Sequence, residues 1–171
     1  MTLKTSLIIL FLAISINSFT LIDEEFDPVR VSGKWFYWAG TYGKHFNNAS
    51  VYMDIYDDLL NFAYYGSGSD DDDKKYWFMS DLLHQDGRPL NEYKRFNYIN
   101  NLNLPETDTF VIVETDYLHT MIKKVTTPDD PQGKWNIFGR KPTTTDEKYE
   151  VILDRAVELS GLDRSEFIRY D

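Results

Sequence analysis

The sequence predicts an all-β fold, an eight-stranded antiparallel up-and-down barrel with one C-terminal α-helix packed outside. Three observations lead there. Short runs of aromatic and β-branched residues recur along the chain. Clusters of Gly, Pro, Asn, Asp and Ser separate them. A single segment near the end changes from a period of two to helical spacing. The length of 171 residues suits one domain. Aromatic residues make up 16% of the chain, which excludes a disordered polypeptide.

The strands are read in order as Lys34–Tyr42, Val51–Tyr56, Phe62–Tyr65, Tyr76–Met79, Tyr93–Ile99, Thr109–Glu114, His119–Val125 and Trp135–Gly139. Val51, Met53 and Ile55 alternate with Tyr52, Asp54 and Tyr56, so one face of that strand is apolar. Turns are expected at Gly66–Asp73, Gln85–Pro89, Asn100–Asp108 and Thr126–Gly133. A count of about eight strands is typical of an up-and-down barrel. Within Thr145–Ser160, Tyr149, Ile152, Leu153, Ala156, Val157 and Leu159 fall close to a helical stripe. Thr145 is placed to cap the start, with Asp146 and Glu147 in the first turn and Gly161 as the stop. Phe167–Tyr170 is expected to add a short last strand.

Composition narrows the function. With no cysteine, thiol catalysis, thiolate metal sites and disulfides are excluded. A net charge of −10 would repel phosphate backbones, so no nucleic-acid partner is expected. Met1–Ser18 reads as a secretory signal peptide, with Lys4 as its positive residue, the apolar run Leu7–Ile16, and Ser18 as a small residue at the cut. That run is too short to span a bilayer, which needs about 20 residues. Residues 19–171 are then one secreted, extracellular domain without a membrane span. Asn48-Ala49-Ser50 is an N-x-S sequon, so Asn48 is expected to be glycosylated.

Three segments carry a family resemblance. They are Phe26-Asp27-x-x-Arg30-x-x-Gly33-Lys34-Trp35, then Val111-x-Val113-x-Thr115-Asp116-Tyr117, then Phe138-Gly139-Arg140-Lys141-Pro142. In this order and with a helix after the third, they resemble the three signatures of the lipocalins over essentially Phe26–Asp171. The opening and the tail look most like the branch containing apolipoprotein D and the insect bilin-binding proteins. The resemblance implies a barrel closed at one end around a ligand cavity. Gly33, Trp35, Thr115, Asp116, Tyr117 and Arg140 would be structural, with Arg140 over the Trp35 ring and Asp116 accepting backbone N–H bonds in its turn. The sequence departs from the family in having no disulfide to tie the tail down. Prostaglandin-isomerising members need a cavity thiol, so that activity is excluded.

Strand parity and this resemblance place Tyr37, Ala39, Val51, Met53, Ile55, Phe110, Ile112, Met121, Lys123, Asn136 and Phe138 on the cavity wall. Such a lining is mostly apolar with isolated polar groups, as in small-molecule pockets. Lys123 would pair with a ligand carboxylate if it faces inward; a register slip of one would turn Lys124 inward instead. Asp70–Asp73 reads as a solvated loop and not a calcium site, since four consecutive Asp cannot converge on one ion. His45, His84 and His119 show no metal-ligand spacing, and neither a metal nor a cofactor is expected. The implied function is binding and transport of a small hydrophobic ligand such as a bilin, retinoid, sterol or fatty acid, without catalysis. Other readings stay open. The interior can be filled, leaving an interaction or defence protein. An amine scavenger would use Glu114 to meet a cation. An isomerase on the same barrel lacks a nameable acid–base pair.

Overall fold

The computed structural model describes residues 26–43, 47–70, 72–100 and 107–170. The expected signal peptide Met1–Ser18, His45 and Asp71 lie outside the described residues. The described residues open with a single helical turn, α1 (Pro28–Val31), then β1 (Gly33–Gly40) and β2 (Asn47–Tyr56). A second short turn, α2 (Asp57–Leu60), leads to β3 (Asn61–Ser69), β4 (Lys75–His84), β5 (Glu92–Asn100) and β6 (Thr107–Thr115). β7 (Thr120–Thr127), β8 (Asp130–Gly139), the long helix α3 (Asp146–Ser160) and β9 (Ile168–Arg169) complete it.

Each strand from β2 to β8 pairs antiparallel with the next, and β1 pairs with both β8 and β2, which closes the eight-stranded barrel. The order is the up-and-down one expected. Closure removes the exposed edges that an open sheet would leave. The β2–β3, β4–β5 and β6–β7 connections share one end with the start of β1, and the β7–β8 hairpin lies at the opposite end.

Two turn expectations fail, for identifiable reasons. Gly66–Ser69 is strand, not turn. Glycine is there because large neighbours crowd the wall: a Cβ on Gly66 would sit 2.8 Å from Val51 and 2.9 Å from Phe78. Most of Thr126–Gly133 is also strand, since Thr127 pairs directly with Asp130 in a tight hairpin. The Thr127 hydroxyl accepts from the Asp130 N–H and the Asp130 carboxylate accepts from the Gly133 N–H, both local substitutes for ladder bonds. Of the Asn100–Asp108 segment, Thr107 and Asp108 belong to β6 and Asn100 to β5, with 101–106 outside the described residues.

The sheet buries two cores, one on each face. Inside the barrel, Trp35, Val51, Met53, Phe62, Tyr64, Phe110, Ile112, Met121 and Phe138 pack together. Outside, α3 lays Tyr149, Leu153 and Ala156 on Trp38, Ala39, Ile122, Trp135 and Ile137. The α3 cap is as expected: Thr145 Oγ1 accepts from the Lys148 N–H at 3.4 Å, and Gly161 closes the helix in the left-handed conformation at φ 68°.

The tail is held without a disulfide. β1 leaves β2 after Phe36, and a register shift between Tyr37 and Ala39 marks the point. β9 takes the vacated edge, pairing Ile168 with Gly40 and Arg169 with Ala39. Phe167 enters the outer core, the Tyr170 N–H donates to the Trp38 carbonyl at 2.8 Å, and the Arg169 guanidinium lies over the Tyr149 ring.

Candidate functional site

The closed end is built from three distant segments. Asp27 caps α1, accepting from the Val29 N–H at 3.0 Å, and its own N–H donates to the Tyr117 hydroxyl. Arg30 lies over the Tyr117 ring at 4.2 Å. Trp35 is fully buried, its indole N–H donating to the Val31 carbonyl at 2.8 Å. The Arg140 guanidinium stands 3.7 Å from the Trp35 ring centroid and donates to the carbonyls of Arg30, Val31, Ser32, Lys34 and Tyr117. One cation therefore satisfies carbonyls from the end of α1, the start of β1 and the β6–β7 turn, and caps the indole face. Gly33 holds φ 97°, and a Cβ there would meet Arg140 Nη1 at 3.3 Å. Asp116 Oδ1 accepts from the N–H groups of Leu118, His119 and Thr120, and Thr115 Oγ1 accepts from the Tyr117 N–H. Tyr117 takes φ 61° in this turn. All six residues read as structural from the sequence meet here.

Above this base the interior wall carries Tyr37, Val51, Met53, Ile55, Phe110, Ile112, Met121, Lys123, Asn136 and Phe138, as parity implied. Ala39 does not join them. The register shift after Tyr37 turns Ala39 outward, beneath α3 with Trp38 and Ile137, and brings Gly40 opposite Asn136. Glu114 also faces out. A second register shift, between Ile112 and Glu114, delivers its carboxylate to Arg155 of α3 at 2.7 Å, so it meets no ligand in the barrel. Lys123 faces in, fully buried, and Lys124 lies outside over the Trp135 ring at 5.5 Å. Asn48 is exposed near the open end.

Sequence reasoning missed a buried ion pair. Arg95 and Asp108, both buried on the inner wall, bond bidentately, with Arg95 Nε to Asp108 Oδ1 at 2.8 Å and Arg95 Nη2 to Asp108 Oδ2. The parity signal existed: Arg95 lies two residues from Tyr93 and Asp108 two from Phe110. It also missed Tyr64, Tyr93 and the Ser80–Asn97 hydrogen bond at 2.6 Å.

Lys123 sits among these groups. Its Nζ donates to Tyr64 Oη at 2.9 Å, and Tyr64 Oη lies 3.4 Å from Tyr37 Oη. Asp108 is committed to Arg95, and no carboxylate among the described residues forms an ion pair with Lys123. Burial, and then the Arg95 charge, push the Lys123 amine well below the usual lysine value, with Asp108 pulling weakly the other way. Burial raises the Tyr37, Tyr64 and Tyr93 hydroxyls, so all three stay protonated. Tyr93 Oη and Asn136 Oδ1 are buried and find no hydrogen-bond partner among the described residues. Trp35, Phe62, Tyr64, Phe110 and Phe138 are fully buried, while Tyr37 is only half-buried.

Outside the barrel, a surface groove of about 710 Å³ runs between the β6–β7 turn and the start of α3, past Trp38, Leu118, Lys141 and Lys148. In the acidic loop, Asp70 Oδ1 accepts from the N–H groups of Asp72 and Lys74, which folds the loop on itself. His84 Nε2 lies 3.1 Å from the Arg88 carbonyl, and His119 lies beside Asp116. Among the described residues no group of three or more His, Cys, Asp or Glu is placed to hold a metal ion. No described helix is long and apolar enough to cross a membrane.

This barrel, with its base plug and outer helix, has the lipocalin fold. No family model matches the chain, and no curated protein matches it in sequence. Solved structures do. Lobster apocrustacyanin A1 superimposes with a TM-score of 0.63 at 17% identity, covering 83% of this chain and 77% of that one. Apocrustacyanin C1 gives 0.63 at 18% identity over 82% and 77%. The amine-binding protein of Rhodnius prolixus, solved as its tryptamine complex, gives 0.64 at 13% identity over 85% and 81%.

Proposed function

We propose that the protein is a secreted binder of the lipocalin type that carries one small, largely apolar ligand in its barrel. The observation that supports this most is the set of polar groups on the inner wall, Lys123, Asn136 and Tyr93, spaced within a surface of rings above the Trp35–Arg140 base. An apolar wall with a few fixed polar groups is how small-molecule sites are composed. Tyr37, Val51, Met53, Ile55, Phe110, Ile112, Met121, Lys123, Asn136 and Phe138 are the proposed contacts, with Tyr64 and Tyr93 added. Ligands of the bilin, retinoid, sterol or fatty-acid class suit this wall. A cationic amine suits it less, because Glu114 is turned away toward Arg155 and the buried carboxylate of Asp108 is already paired with Arg95. In this reading Met1–Ser18 directs export, residues 19–171 form the exported domain, and Asn48 carries a glycan. The role is binding and not catalysis.

The close packing of Phe62, Tyr64, Phe110 and Phe138 favours a second reading, a filled barrel that acts through its surface. Titration with retinol, a fatty acid, a sterol and a bilin separates the two, with Trp35 emission as the signal. The carrier reading expects saturable quenching by at least one of them at micromolar Kd or tighter, about −8 kcal/mol. No saturable quenching by any of them supports the filled barrel.

A further inference from the structure

We propose that Lys123 is a site of reversible covalent capture, its amine condensing with an apolar aldehyde inside the barrel to form an imine. The proposal rests on the carrier reading and adds the chemical class of ligand and the bond that holds it. It starts from what surrounds the amine. The rings of Tyr37, Tyr64, Phe110 and Phe138 enclose Lys123 Nζ at 4.9–5.7 Å from their centroids. Among the described residues its one hydrogen-bond partner is the Tyr64 hydroxyl at 2.9 Å. Among the described residues, the Arg95 guanidinium and the Asp108 carboxylate are the other buried charged groups on the inner wall, and they neutralise each other bidentately. The ring faces attract an ammonium, but no carboxylate among the described residues pairs with it, and complete burial favours the neutral amine. A desolvated neutral lysine is a nucleophile, and carbonyl carbon is its ordinary electrophile.

Lys123 is closed off from solvent, and of the four enclosing rings Tyr37 alone is not fully buried, so an incoming chain would have to enter by displacing Tyr37. The amine lone pair attacks the aldehyde carbon, and one N–H proton moves to the new alkoxide oxygen. The carbinolamine then loses its hydroxyl with the second N–H proton as water, leaving C=N. One aldehyde and one amine give one imine and one water, with no oxidant or reductant. The Tyr64 hydroxyl, within hydrogen-bond reach of the nitrogen, and Tyr37 beyond it at 3.4 Å are placed to relay the proton. Apolar walls that limit water slow the reverse hydrolysis.

The test is to incubate the protein with retinal or cinnamaldehyde, trap the adduct with cyanoborohydride, and map it by peptide mass spectrometry. The expected result is one adduct per chain, on Lys123 in preference to the exposed lysines. Its formation rate should rise less than tenfold from pH 7 to pH 9, where an ordinary lysine gains about 100-fold in neutral amine. Lys123→Arg should abolish the trapped adduct, and in the unaltered protein the matching alcohol should quench Trp emission without forming one. Adducts spread over surface lysines with Lys123 unmodified, or a 100-fold pH response at Lys123, overturn the proposal. Alcohol binding without an imine leaves the carrier reading standing and sinks this one. Failure of both alcohol and aldehyde to bind sinks this proposal too, and the carrier reading falls with it only if the fatty acid, sterol and bilin also fail to bind. The mapping uses the unaltered protein, so the result does not depend on the variant folding.

Discussion

The base of the barrel and its middle handle buried cations in opposite ways. At the base, Arg140 is satisfied by five backbone carbonyls and the Trp35 face, and the chain segments it joins lie far apart in sequence. In the middle, Lys123 is given rings and one phenol, although its longer-range neighbours include a carboxylate. The difference teaches what each region is for. A cation with every donor used locks a structure. A cation with donors left over, in a wall of apolar side chains, costs stability and is retained where something else needs it. The contrast is sharper because the whole chain carries a net charge of −10, yet no carboxylate among the described residues pairs with Lys123.

Truncating the base should give the largest effect. Trp35→Ala removes a fully buried indole and the ring on which Arg140 stacks. The expected loss is roughly 3–5 kcal/mol for the buried aromatic, with about 0.5–2 more for the cation–π contact. Urea melts followed by far-ultraviolet circular dichroism measure it. A loss under about 1 kcal/mol would mean that the base is not the lock described here.

The middle offers an ion pair as an internal control. Asp108→Asn leaves Arg95 buried without its counter-ion, at an expected cost of about 3–5 kcal/mol. Replacing both, as Arg95→Met with Asp108→Leu, should return stability to within about 1 kcal/mol of the native protein or above it. Equal losses in the single and double variants would show that the pair stabilises the barrel outright. The comparison between a locking base and a costly middle would then fail.

How far the sequence was legible follows the same division. The base could be read because its residues form local signatures: Gly33-Lys34-Trp35, Thr115-Asp116-Tyr117 and Arg140 each sit in a short motif. The helix could be read from its stripe and its two caps. Wall positions followed from alternation until a strand shifted register. Ala39 and Glu114 are the two misplaced residues, and each follows a register shift that no residue type announces. The Arg95–Asp108 pair escaped because a lone charge in a strand normally faces water. Its two halves also lie on different strands, where only the β5–β6 register, Arg95 opposite Asp108, brings them together. Gly66–Ser69 looked like a turn because the reason for its small residues, Val51 and Phe78, lies in other strands.

The smallest expected effect is the most diagnostic of the middle region. Burial lowers the Lys123 amine in the folded state, so in the unfolded chain, where a lysine titrates at about 10.4, it binds protons more readily. Below the folded value both states would be charged, and the folded protein carries the full burden of a buried ammonium. As pH rises from there toward about 10.4, the unfolded state holds more protons than the folded one, so stability rises with pH. Lys123→Met removes this dependence and keeps the apolar volume. It should therefore raise stability at pH 7, by at least about 1 kcal/mol if the burden resembles that of other buried charges replaced by apolar groups. The advantage should shrink steadily as pH approaches 10. The buried tyrosines Tyr37, Tyr64 and Tyr93 have raised values and destabilise the fold above about pH 10 as the unfolded chain loses their protons. They are common to both proteins, so their contribution drops out of the difference. Denaturant midpoints of the two proteins between pH 6 and 10 provide the measurement. A difference that is flat across that range, or that grows with pH, would mean that Lys123 is charged and well compensated in the folded barrel. The middle would then be as tightly locked as the base.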